Sequence, residues 1–273
     1  MTMRLDEALV RFRLSEPERL AQTATSIVWK VRQSDGNAAI LKLLHPGETE
    51  ELRGFDYLQR LGGMGAVQAL AREGSALLME HCPGPSLGDL ARAGRDGEAT
   101  EALCTVIQTL HATRADPRNL QPLIQRFAPL TTAHLKGPLA QAARIARDLL
   151  ADPVLPVALH GDLHHDNVLS SPRGWLAIDP KGVCGDPAYE PANAFRNPDG
   201  LGDRLFDPDR IQNLTYRLSH RLGFDPRRLL GWAAAHCALS TRWSAEAGQD
   251  ITGDLRLLAL LLGAVEAQHA DDW

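Results

Sequence analysis

Several features that would assign a simple class are missing from this 273-residue chain. No run of eighteen apolar residues occurs, so a membrane-spanning helix is not expected. The opening residues MTMRLDEALVRFRL lack the apolar core and cleavage site of a secretory signal. Cysteine is scarce. Cys82, Cys104, Cys184 and Cys237 stand far apart with no C-x-x-C spacing, which speaks against a zinc cage and fits reduced thiols in a cytoplasm. Positive charge is not in excess either: 29 Lys and Arg against 34 Asp and Glu leave a net charge of -5. Nucleic acid is therefore an unexpected partner, and a cationic small molecule a compatible one. There is no internal repeat, low-complexity tract or long linker. With 44% hydrophobic residues, the length suits one large domain or two compact lobes around a substantial core.

What is present is concentrated between His160 and Asp179, HGDLHHDNVLSSPRGWLAID. Val168-Leu169 and Trp175 to Ile178 flank the turn residues Ser171-Pro172-Arg173-Gly174, a pattern that predicts a hairpin. Counted from Arg173, Asn167 lies six residues back and Asp179 six forward, so antiparallel pairing is expected to set them side by side. An amide and a carboxylate there make a two-ligand oxygen site for a hard cation such as Mg2+, which completes its octahedron with water and phosphate. Asp162, on the loop leading into the hairpin, faces the same site without ligating the metal. That suits accepting the proton of an attacking hydroxyl. His160, His164, His165 and Asp166 offer a rival metal cluster, disfavoured because Gly161 and the spacing argue for a loop rather than one helical face.

The spacing D-x-x-x-x-N followed by a strand ending in Asp resembles the catalytic loop and metal-binding aspartate of kinases. With His160-Gly161-Asp162 opening the loop and Asp179-Pro180-Lys181 as the second motif, the chain resembles the aminoglycoside phosphotransferase family of small-molecule kinases. The continuation IDPKGVCGDPAYEPANAFRNP is similar to the branch that includes streptomycin 6-kinases and hydroxyurea phosphotransferases. The resemblance spans most of the chain. It implies an α+β, bilobal protein-kinase-like fold. A small N-terminal antiparallel sheet lobe with one helix, residues 1–84 including a hinge, would bind ATP, and a mainly helical lobe, residues 85–273, would carry the catalytic loop and the acceptor site.

Taken in order, residues 5 to 22 read as a helix through Leu5, Leu9, Phe12 and Leu20, restarting at Pro17. Ser26 to Arg32 and Ala38 to Leu44 read as a hairpin around Ser34-Asp35-Gly36-Asn37. Alternation puts Lys42 between Ile40 and Leu44 on one face, a costly place for an ammonium without a partner. By the kinase resemblance Lys42 grips the α- and β-phosphates. Its expected brace is Glu51, which shares an inward face with Phe55, Leu58 and Leu61 of a helix from Glu48 to Leu61; Glu48 and Glu50 remain alternatives. The phosphate-covering turn has no G-x-G-x-x-G, so Thr25 and Ser26 are expected to meet phosphate through hydroxyls and backbone N–H groups. Val67 to Leu70 and Ser75 to Met79 read as strands and Glu80 to Pro85 as a connector or ordinary loop, which the family resemblance implies is the hinge, with Glu80 and Cys82 beside the adenine.

Beyond the hinge, Leu103, Val106, Ile107 and Leu110 mark a core helix, Leu139 to Leu150 another, and Leu155 to Leu159 a strand entering the loop. Only Pro180 to Pro187 separates Asp179 from the helical remainder, too short for the activation segment with which protein kinases dock peptides. A small acceptor is therefore expected. Asp186, Glu190 and, more distally, Glu246 are candidate contacts for an amine-bearing substrate, and Lys181 a candidate for neutralising transferred phosphate. Three helical patterns, Ile211/Leu214/Leu218/Leu222, Arg227 to Ser240 and Asp254 to His269, close the chain. The resemblance implies an ATP- and Mg2+-dependent O-phosphotransferase with an aminoglycoside of the streptomycin type as acceptor. Sugars, amino alcohols and hydroxyurea-like molecules would use the same catalytic set. A non-catalytic nucleotide-binding relative is opposed by the presence of Asp162, Asn167 and Asp179 together.

Overall fold

Helix α1 (Leu5–Phe12) ends at Arg13, which turns left-handed at φ 55°, and the expected second half of that helix is instead strand β1 (Ser15–Gln22). Every side chain of β1 is exposed, so it carries no alternation from which a strand could be read, and Pro17 is tolerated because β1 is an edge. The computed structural model describes residues 3–48, 50–152 and 154–270; Met1 and Thr2 of the N-terminal run considered above lie outside it. β2 (Ser26–Arg32) and β3 (Ala38–Leu44) form the expected hairpin, paired from Ser26 opposite Leu44 to Arg32 opposite Ala38. Asp35 accepts from the Asn37 N–H at 2.9 Å and Gly36 takes φ 85°, which makes this turn chemistry work.

After α2 (Glu51–Leu61) come β4 (Ala69–Glu73) and β5 (Ala76–Glu80), completing an antiparallel sheet of order β1-β2-β3-β5-β4. β4 begins two residues later than expected. The Val67 N–H instead donates to Ala177 O at 3.0 Å, stitching this part of the chain to the later hairpin. Alternation along β3 separates two cores. Leu41 and Leu43 pack with Ala8 of α1 on one face, and Ile40 and Leu44 pack with Phe55 and Leu58 of α2 on the other. Lys42 belongs to the α2 face and is buried there.

The remainder is mainly helical. α3 (Leu87–Arg92) and α4 (Asp96–Ala112) follow Pro85, and Leu103, Val106, Ile107 and Leu110 of α4 are buried as their spacing predicts. Short β6 (Gln121–Pro122) leads into the single turns α5 (Leu123–Arg126) and α6 (Ala128–Thr131), then α7 (Gly137–Ala151) and β7 (Val157–Leu159). β8 (Val168–Ser171) and β9 (Gly174–Ala177) form the central hairpin, and β10 (Val183–Gly185) pairs with β7 only four residues beyond Asp179. A 3-10 segment, Pro187–Arg196, precedes the closing helices α8 (Pro208–Leu222), α9 (Pro226–Glu246) and α10 (Thr252–Ala270). Tyr189 packs edge to face against Phe127 and Trp232, which are tilted against each other, at the centre of this part, with ring centroids 5.4–5.5 Å apart. All four cysteines are free thiols, and among the described residues no helix is long and apolar enough to cross a membrane.

Candidate active site

The hairpin fixes the site through its register. Val168 lies opposite Ala177, and the Ile178 N–H donates to Asn167 O at 2.9 Å, so Asn167 faces Ile178 rather than Asp179. The pairing is thus one residue out from the expected one. Continued extension would send Asp179 to the other face, but Asp179 adopts φ 56°, leaves the strand and lines the same cavity as Asn167. Asn167 donates from Nδ2 to Asp162 O at 2.9 Å, which leaves its Oδ1 as the acceptor available to a cation.

Two buried groups brace the loop that carries Asp162. Nδ1 of His160 accepts from the Asp162 N–H at 3.3 Å, so its Nε2 carries the proton and donates to Ile178 O at 2.8 Å. Burial lowers the His160 pKa, which keeps that tautomer neutral. Glu190 accepts from the backbone N–H groups of His160 (3.0 Å) and Gly161 (3.2 Å), with His111 Nε2 at 3.5 Å. Burial raises the Glu190 pKa, but His111 and these donors outweigh it and lower it overall. Glu190 therefore holds the loop from beneath and does not face an acceptor, contrary to the sequence expectation. Asp186 is corrected in the same way: it is buried, accepting from Trp232 Nε1 at 2.5 Å, Arg228 Nε at 2.6 Å and the Ala188 N–H at 2.9 Å. Glu246 is exposed at the end of α9 and pairs with Arg242 of its own helix.

On the sheet side, Glu51 is the partner of Lys42, at 2.6 Å from Nζ to Oε2. Glu48 instead caps α2, accepting from the N–H groups of Glu50 (2.7 Å) and Glu51 (3.3 Å), and Glu50 points to solvent. The other oxygen of Glu51 takes Lys181 Nζ at 2.8 Å, and both lysines also reach Asp179. Two ammonium groups thus face two carboxylates. Burial raises the Asp179 pKa, yet Lys42 and Lys181 outweigh it and hold it down at about 2, so the group stays ionised.

A cavity of about 450 Å3 lies between the sheet and the hairpin. Val28, Ile40 and Met79 from the sheet face Leu169 and Ile178 from the hairpin, an apolar slot suited to a flat ring. Lys42, Glu51, Asn167 and Asp179 line its polar end, Thr25 and Ser26 its roof, and Glu80 and Cys82 its rim. The expected phosphate contacts of the roof are reduced, because the N–H groups of Thr25 and Ser26 already donate to Thr23 Oγ1, at 3.3 and 3.0 Å. Burial pushes the Cys82 thiol up to about 11, leaving it protonated at the rim. His164 caps Asp166 through its ring, and no group of three or more His, Cys, Asp or Glu among the described residues is placed to hold a metal.

Arg173, in sequence only the midpoint of a turn, makes several long-range contacts. It donates to Glu80 Oε1 at 3.0 Å, Gly63 O at 2.9 Å and Ala66 O at 3.3 Å, joining the hairpin tip to the end of β5 and to the turn after α2. Asn193, which nothing in the sequence singles out, donates from Nδ2 to Asp162 Oδ1 at 2.8 Å. No periodicity marks a lone amide in a 3-10 segment.

A five-stranded sheet, a buried lysine–glutamate pair and a hairpin bearing Asn and Asp, set around one cleft, define a protein of the kinase-like fold. Solved structures agree. An amicoumacin kinase in complex with AMP-PNP and Ca2+ superposes with a TM-score of 0.68 over 96% of this chain and 94% of its own, at 16% identity. The aminoglycoside phosphotransferase APH(4)-Ia with ADP and hygromycin B gives 0.62 over 93% and 96%, at 15% identity. The sequence model of the aminoglycoside/hydroxyurea antibiotic resistance kinases matches residues 11–248, and the chain belongs to that family. Its relatives include the streptomycin 3''-kinase of Klebsiella pneumoniae, 42% identical over 85% of this chain and 89% of that protein. The streptomycin 6-kinase of Streptomyces griseus is 31% identical over 87% and 81%, and the hydroxyurea phosphotransferase of Kitasatospora aureofaciens 31% over 90% and 74%.

Proposed function

We propose that the protein transfers the γ-phosphoryl group of ATP to a hydroxyl of streptomycin, inactivating it, in the cytoplasm. The observation that carries this reading is the convergence of Lys42, Glu51, Asn167 and Asp179 on the polar end of one cavity whose other end is an apolar slot. The slot suits adenine, with residues 80–85 as the hinge between an N-terminal lobe ending at 84 and a C-terminal lobe from 85. Asn167 Oδ1 and the Asp179 carboxylate are hard oxygen donors that fit Mg2+, which when bound would neutralise charge on the phosphates. Lys42, held by Glu51, would meet the α- and β-phosphates, and Asp179 would hold the metal. Lys181 supplies a second ammonium on the same carboxylates, suited to the charge that develops on the transferring group. Asp162 accepts the hydrogen bond of the acceptor hydroxyl and receives its proton as the new O–P bond forms and the bond from the γ-phosphorus to the β,γ-bridging oxygen breaks, with ADP as the leaving group. The greater identity to the 3''-kinase than to the 6-kinase supports the 3''-hydroxyl as the acceptor.

The test is a coupled ADP-release assay with Mg-ATP against streptomycin, other aminoglycosides, simple sugars, amino alcohols and hydroxyurea, with the product position read by phosphorus–proton NMR. Streptomycin-dependent release and a 3''-phosphate are expected. Release with a sugar or amino alcohol and none with streptomycin overturns the acceptor assignment.

A further inference from the structure

The catalytic loop does not orient Asp162 alone. Its Oδ1 accepts from Asn193 Nδ2, and Asn193 sits 31 residues further along, in the 3-10 segment. A side-chain amide can be turned end for end, and a reversed Asn193 would set oxygen against oxygen. Asn197 removes that freedom. Its Nδ2 donates both to Asn193 Oδ1 at 2.9 Å and to Asn193 O at 3.0 Å, so Asn193 has only its NH2 group to present to Asp162. Asn197 is itself fixed from α8: Arg210 donates to Asn197 O at 2.8 Å and to Phe195 O at 3.4 Å, while its Nε pairs with Asp96 of α4 at 2.7 Å. A polar relay therefore runs from α4 and α8 to the cleft. Asn193, Asn197 and Arg210 are 6%, 5% and 7% exposed, amid the buried Ala192, Ala194 and Phe195.

Burying two amides and a guanidinium is costly unless every group is matched, and a matched buried network fixes one geometry. Tying down the 3-10 segment needs only backbone contacts, which Asn197 and Arg210 supply. The Asn193 amide instead reaches the one oxygen pair on which proton acceptance depends. We propose that Asn193 is a positioning residue for phosphoryl transfer: it occupies Oδ1 of Asp162 and so dedicates Oδ2 to the acceptor hydroxyl, while Asn197 sets the orientation of the amide that does this. The inference rests on the kinase reading above.

Four variants test it, each assayed for kcat and for Mg-ATP Kd with the acceptor that wild-type protein phosphorylates. Asn193→Asp keeps the size and the oxygen that Asn197 bonds but removes the donor to Asp162. Its kcat is expected to fall by about 10²-fold, the cost of misplacing a reacting group, with Kd changed less than about twofold. Asn193→Ala should fall similarly and Asn197→Ala less; in the double variant the Asn197 substitution should add nothing, because its effect runs through Asn193. Wild-type kcat in Asn193→Asp, or losses that multiply in the double variant, would overturn the proposal. If Asn193→Ala does not fold, the isosteric Asn193→Asp decides alone. Wild-type protein silent with every acceptor overturns the kinase reading and this inference with it, an outcome visible before any variant is made.

Discussion

Glu51 answers two lysines at once, one on each carboxylate oxygen, with its side chain 7% exposed and that of Lys42 8%. Removing one partner of so buried a set leaves the others uncompensated, at a cost of about 3–5 kcal/mol. Urea unfolding of Glu51→Ala should therefore show a loss of that order, and a loss below about 1 kcal/mol would mean that the ammonium groups find water instead. His165 makes a different prediction. It is fully buried, neither ring nitrogen has a hydrogen-bond partner among the described residues, and burial holds its pKa at about 3, against 6.5 for a free histidine. Above pH 6.5 neither state carries the proton. Between 6.5 and 3 the unfolded chain binds one that the folded chain refuses, so stability falls as pH falls, by about 1.4 kcal/mol per pH unit from this residue. The slope in that window should be about one proton shallower in His165→Leu, and an unchanged slope would show that His165 titrates normally. Residue types and spacing single out Lys42, Glu51, Asn167 and Asp179, and the fold brings the four to one cavity. They do not place Asp186 and Glu190, because an acid looks the same whether it faces a substrate or a buried donor, and the side-chain donors to Asp186 lie 42 and 46 residues away on α9.

At the scale of elements, Glu51 can reach across the cleft only because α2 rests backbone to backbone on the segment after Asp179. A Cβ on Gly54 would stand 1.9 Å from Pro180 O, and one on Gly182, at φ 65°, 2.3 Å from Arg53 O. Gly54→Ala should lower the unfolding free energy by about 1–3 kcal/mol and weaken Mg-ATP binding as α2 is pushed off. Gly263→Ala on α10, where nothing lies within 4 Å, should instead stabilise by about 0.5–1 kcal/mol. Similar losses at both positions in calorimetry would remove the close-packing explanation. Elements with an apolar face were legible: β2, β3 and the core face of α4 lie where the pattern put them, and α2 starts three residues later than expected, at Glu51, because Glu48 accepts from the N–H groups of Glu50 and Glu51 instead of entering the helix. β1 was not, since a fully exposed edge strand carries no pattern, and the hairpin register differs by one because the loop is only Pro172-Arg173, with Ser171 opposite Gly174, rather than a turn centred on Arg173.

At the scale of the whole molecule, the cleft is bounded by parts distant in sequence that share one apolar core, Phe55, Leu58 and Val67 with Val168, Leu176 and Ala177, and are tied by polar contacts from Arg173 to Glu80, from Val67 to Ala177 and from the two lysines to Asp179. Asp179 is where the sheet side and the hairpin side meet, so Asp179→Ala should abolish Mg2+-dependent nucleotide binding; unchanged Mg-ATP affinity in titration calorimetry would count against the metal site. The two-part architecture was readable from the motif between His160 and Asp179, whereas the relay from Asp96 to Asp162 was not, because it exists only once α4, α8 and the 3-10 segment are packed together. The most direct single measurement is transfer of labelled γ-phosphate from Mg-ATP to streptomycin, followed side by side in wild-type protein and Asp162→Ala with Mg-ATP affinity measured on both. Phosphoryl transfer through Asp162 predicts labelled streptomycin from the wild type, a loss of about 10²- to 10⁴-fold in the variant and equal affinity in both. Undiminished transfer by Asp162→Ala would contradict it.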